Sequence, residues 1–145
     1  MMASLDELSL YKHNHVIQRY KKDFSKNTLS AEEAFKELMK YLWLSQKLDT
    51  DKKYDPTNKN INFSCVMHHE MSDIDDMWHT FLLFTKDYMT FCELHFGKYI
   101  HHKPFTEDDA IPLEEDFSSE LTNYLHYINQ NLGEETLLKW FGELV

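Results

Sequence analysis

The chain has 145 residues, an apolar share of 42%, ten Phe, eight Tyr and three Trp, but only three Gly and three Pro. This content excludes a disordered chain, and so few turn residues exclude an all-β domain, which needs them at short intervals. A formal net charge of −10, with basic residues scattered outside Arg19–Lys22, excludes nucleic acid as a partner, because neutralising phosphates takes a basic patch.

Ser4-Leu5-Asp6-Glu7 reads as a capping box, in which the Ser side chain takes an orphan amide and Glu7 reaches back. It predicts a helix over 5–22, with Leu10, Ile17 and Phe24 on one stripe. Lys21 and Lys22 then suit the negative end of its dipole. Ser30-Ala31-Glu32-Glu33 is a second capping box. Phe35, Leu38, Met39 and Leu42 follow it at helical spacing and predict a helix to Leu48. The polar run from Asp49, which contains Pro56, reads as a loop. Ile61, Phe63, Cys65 and Met67 then alternate, as in an extended segment with one buried face.

Ser72 caps the next predicted helix, with Asp73, Asp75 and Asp76 in its positive first turn. Gly97 is placed as its stop. A connector with Pro104 and Pro112 leads to a fourth helix, marked by Phe117, Leu121, Leu125, Ile128 and Leu132 and ending near Gly133. A short fifth helix begins at the acidic pair Glu134 and Glu135. The expectation is an all-α fold, a compact bundle of about five helices around a long central helix over 72–96. It includes one extended loop segment, and the whole chain, 1–145, forms a single helical domain. No apolar stretch approaches the roughly 20 residues of a membrane span, and no signal peptide is visible. With Cys65 and Cys92 as its two cysteines, the chain reads as a soluble cytoplasmic protein with free thiols and no membrane partner.

The predicted central helix is dense in metal-ligating and catalytic residue types. At about 100° per residue, Met77, Phe81, Phe84, Tyr88, Phe91, Cys92 and His95 fall on one broad aromatic face, and His79 points away from it. His79 and His95 are 16 residues apart, about 24 Å of rise, so a straight helix cannot bring both to one ion. Two groups of candidate metal ligands follow. One is Asp75 or Asp76 with His79, joined by His68, His69 or Glu70 across the helix start. The other is Cys92 with His95, joined by His101 or His102 after Gly97. Neighbours in an extended segment face opposite sides, so only one of that doublet can join. Zinc takes three or four N, S or O ligands, and either group offers them. The competing structural reading makes Cys92 a small core hydrophobe, His95 a helix-end residue and His79 a partner of Asp75.

The ordered pattern Ile74-Asp75-x-x-Trp78-His79, Leu82-Leu83, Tyr88, Phe91-Cys92, Phe96-Gly97, His101-His102 and Pro104 resembles the glycine-rich domain-containing-protein-like family, and its small bacterial members above all. Phe81 stands where plant members often carry a second histidine, and the glycine-rich tail is absent. The resemblance implies a helical domain without an established reaction. It also implies that Asp75, Trp78, His79, Cys92, Gly97, His101 and Pro104 form one structural unit, with Tyr88 in the same motif.

Three functions compete. The first is a non-catalytic module that binds another protein through an exposed aromatic or Met patch near Trp43, Trp78 or Trp140. The second is a zinc-type metal-binding protein or hydrolase, with His79, His101 or His102 as ligands and Asp75, Asp76 or Glu70 as base. The third is a thiol enzyme using Cys92 and His95, which burial in mid-helix opposes.

Overall fold

The computed structural model describes residues 2–103 and 113–142. Its helices are α1 (Leu5–Leu10), α2 (Asn14–Asp23), α3 (Ala31–Tyr54), α4 (Ser72–Leu83), α5 (Thr85–Phe96), α6 (Glu114–Leu132) and α7 (Glu134–Phe141). The fold is all-α, with no strand among the described residues. Single 3-10 turns occur at Lys59–Ile61 and His69–Met71. Pro104 lies outside the described residues.

Both capping boxes form their first bond: Ser4 accepts from the Glu7 amide and Ser30 from the Glu33 amide. The helix expected over 5–22 is nevertheless two helices. Tyr11 turns extended (ψ 131°) at the end of α1, and its ring enters the core beside Phe91 at 4.8 Å and Phe35 at 6.0 Å. His13 then restarts the helix, its Nδ1 accepting from the Val16 amide. The break resets the register, so Leu8 is buried while Leu10, expected on the core stripe, is 82% exposed.

Helix α3 packs against α1, α2, α4 and α6. It also runs past Leu48 to Tyr54, through residues expected to form a loop. Lys47 and Asp51, one turn apart, pair at 2.7 Å, and Lys52 and Lys53 sit at the negative end of the dipole. Polar residues are good helix formers when one face has a core to cover. Glu37 on this helix is fully buried. Trp140 Nε1 donates to it at 2.9 Å and Lys40 pairs with it at 3.2 Å, while Lys40 also reaches the Thr136 hydroxyl at 3.0 Å. These contacts fasten α7 to α3.

The segment after the Lys59–Ile61 turn is extended and alternates as expected. Phe63 is buried, Cys65 and Met67 are half-buried, and Asn62, Ser64 and Val66 are exposed. Tyr41 holds it to α3 by donating to the Cys65 carbonyl at 2.5 Å.

The span 72–96 is helical but breaks at Phe84 (φ −94°, ψ 65°). Neither Gly nor Pro marks the break. Phe84 instead packs against His13 at 5.5 Å, and His13 Nε2–H donates to Asp87 at 2.8 Å, so the start of α2 grips the bend and the first turn of α5. The bend folds α5 back on α4. Phe81 and Phe91 would be about 15 Å apart along a straight helix, yet their rings lie 5.2 Å apart.

Gly97 ends α5 in the left-handed region (φ 71°, ψ 10°). A Cβ there is strained, so Gly97→Ala should cost about 1–2 kcal/mol in urea denaturation. An unchanged midpoint would show that the helix end relaxes around the substitution.

Candidate metal centre

Asp75 and His79 lie one turn apart on the α4 face turned away from the aromatic core. The third member of the site comes from the segment that follows α5. Because α5 folds back and Gly97 reverses the chain, residues 98–103 return alongside α4. In this stretch Ile100 is buried, His102 half-buried, and Tyr99, His101 and Lys103 exposed, the alternation of an extended chain.

The His102 ring is sandwiched between Trp78, at 4.1 Å and 32°, and His79, at 4.5 Å and 23°. His102 Nε2–H donates to Asp75 Oδ1 at 2.6 Å, and His79 Nδ1 lies 3.7 Å from Asp75 Oδ2. Asp75, His79 and His102 each offer one ligating atom, and these atoms all lie within 4.8 Å of one another. Side-chain exposure rises from 16% at His102 through 30% at Asp75 to 54% at His79, so the site opens to solvent on the His79 side. Ligands around zinc, with bonds of about 2.0–2.2 Å at tetrahedral angles, stand roughly 3.3 Å from one another. The Asp75–His102 contact would open by a fraction of an ångström to admit an ion, and the ion would replace the shared proton.

The expected second group does not assemble. His102 joins Asp75 and His79 instead of Cys92 and His95, because the bend at Phe84 and the turn at Gly97 bring the connector, not the end of α5, beside α4. Cys92 is fully buried, and burial pushes its thiol pKa up beside the Tyr88 side chain and the Ile100 backbone. A protonated, inaccessible thiol removes the nucleophile reading. His95 packs its ring on Phe91 at 4.9 Å and Tyr11 at 5.3 Å, and its buried Nε2 has no hydrogen-bond partner among the described residues. His101 is exposed against the edge of Tyr99 at 4.6 Å.

The residues before α4 do not reach His79 either. His68 lies among Phe117, Tyr124 and Phe141. His69 and Glu70 line a cleft of about 590 Å³ whose far wall is Leu138–Gly142. Asp76 accepts from the Asn27 amide at 3.0 Å. Of the three expected bases, only Asp75 is in the cluster. Of the tryptophans around which an aromatic or Met patch was expected, Trp78 and Trp140 are buried and Trp43 is half-buried. No helix among the described residues is long and apolar enough to cross a membrane.

The chain matches the UCP032817-like family over residues 12–111. It belongs to that family. This assignment replaces the resemblance to the glycine-rich domain-containing-protein-like family, whose motif spanned only the central segment. The UCP032817-like match runs from the end of α1 through α5 and includes all three residues of the cluster. No curated protein and no solved structure matches the chain.

Two half-buried histidines outside the cluster predict a pH dependence of stability. Burial lowers the pKa values of His68 and His95 from the ordinary 6.5. The folded state therefore binds fewer protons than the unfolded state as pH falls through that range. Their neutral forms contribute stability above 6.5 that is lost on acidification. The urea midpoint should fall between about pH 7 and pH 5, and fall less in His95→Phe, which keeps an aromatic ring without a titrating nitrogen. An equal fall in both proteins would show that His95 titrates alike in the folded and unfolded states.

Proposed function

We propose that this protein is a helical module that binds one divalent transition-metal ion through Asp75, His79 and His102. The supporting observation is the convergence of three ligating side chains, two from one helix face and one from 27 residues along the chain. One carboxylate and two imidazoles form a donor set suited to zinc and its first-row neighbours. It is less suited to calcium or magnesium, which prefer all-oxygen shells.

Three protein ligands leave a coordination position free, as catalytic zinc sites do and closed structural sites do not. The site itself is most exposed on the His79 side. Such an ion would supply an acidified water, and hydrolysis is the chemistry to which that reagent belongs. The burial of Trp78 and Trp140 and the half-burial of Trp43 weigh against the protein-binding reading, and the closeness of the Asp75, His79 and His102 donor atoms supports the metal reading.

The test is a titration of chelator-stripped, untagged protein with Zn2+ and with Co2+. One equivalent should bind, and at a free ion concentration of 100 times Kd it should stabilise the fold by about 2.7 kcal/mol. His79→Ala and His102→Ala should each abolish the tight equivalent while keeping a helical circular-dichroism spectrum. Affinity should also weaken on acidification, because a protonated imidazole is no ligand. Binding that survives both substitutions, or absence of binding in the parent protein, would overturn the proposal.

A further inference from the structure

The metal reading accounts for Asp75, His79 and His102 but leaves two buried polar side chains of the same region unexplained. Tyr88 is fully buried and Trp78 nearly so. Trp78 Nε1 donates to the Tyr88 hydroxyl at 3.0 Å, and that hydroxyl donates to the Ile100 carbonyl at 2.6 Å. The Trp78 ring lies 4.1 Å from that of His102.

We infer that Tyr88 and Trp78 are positioning residues for this centre: they offer it no ligand, yet set its metal affinity by fixing where His102 stands. The inference rests on the metal reading above. His102 is the one ligand that no helix carries, and a ligand on a connector must be held before it can contribute its full binding energy. The connector is held at Ile100, which is buried while both of its neighbours are exposed. Residues two apart in an extended segment face the same side, so pinning Ile100 also decides which way His102 faces. This explains why His102 of the doublet joins Asp75 and His101 does not.

The anchor is of a kind that a moderately alkaline pH does not release. Burial raises the Tyr88 pKa far above neutrality, so its hydroxyl keeps the proton it donates to Ile100. Trp78 acts twice, orienting the hydroxyl through its N–H and backing the imidazole with its ring. The connection therefore closes on itself, from Trp78 to Tyr88, to Ile100, along the chain to His102, and back to the Trp78 face.

Co2+ titration of the full chain tests this, with the visible absorption bands reporting coordination geometry. Tyr88→Phe removes the donor to Ile100, and Trp78→Phe removes the N–H and most of the backing plate. Each should weaken Co2+ binding by about ten- to a hundredfold and change the band shape at saturation. In a His102→Ala background the residual weak binding should not respond to Tyr88→Phe, because the effect passes through His102. Apo stability in chelator is measured in parallel, and Trp78→Phe serves if Tyr88→Phe does not fold.

The outcomes separate the two claims. A parent protein that takes up no Co2+ removes the metal reading itself. A parent that binds Co2+, with folded variants of equal affinity and identical spectra, leaves the metal reading standing and overturns the positioning role. An equal loss from Tyr88→Phe with and without His102 would also overturn it.

Discussion

A buried phenol hydroxyl has to be paired, because leaving it unsatisfied costs about 1–3 kcal/mol. Tyr88 meets this demand with a donor from α4 and an acceptor two residues before His102. Its partners come from either side of it in sequence, so they can meet only if the chain doubles back. The bend at Phe84 brings α5 against α4, and the left-handed turn at Gly97 sends the connector back beside them. The placement of His102 follows from those two reversals.

The same geometry separates two sets of chemically similar residues. Asp75, His79 and His102 stand on the outer side of the α4–α5 pair, where solvent reaches them unevenly and a carboxylate accompanies the imidazoles. Cys92 and His95 stand on the inner side, where apolar surroundings disfavour charge and raise the thiol's pKa. A sulfur and an imidazole one turn apart are a ligand pair in a polar environment. Between Tyr11, Tyr88 and Phe91 they are packing.

Another buried polar group lies at the contact of α3 with α7. Glu37 brings a carboxylate into the α3–α7 contact, where an indole N–H and a lysine meet it. An uncompensated carboxylate there would be costly, and its partners are Lys40, one turn along α3, and Trp140 on the sequence-distant α7. Thus α7, which is short, is located by direction-specific bonds as well as by burial of Trp140 and Phe141.

Sequence alone determined the fold class, because scarce Gly and Pro and repeated helical spacing leave few alternatives to an all-α bundle. It also determined the capping at Ser4 and Ser30, the stop at Gly97 and the alternation over 61–67, all of which depend on residues close in the chain. The pairing of Asp75 with His79 was legible for the same reason, since one helical turn sets it. Only the tertiary structure decided that the helices break at Tyr11 and Phe84, because ring packing and the His13 tether drive those breaks where no Gly or Pro stands. It likewise decided that His102 joins Asp75 rather than Cys92. A helical wheel carries no information about a bend, and the bend turns positions far apart along an axis into neighbours.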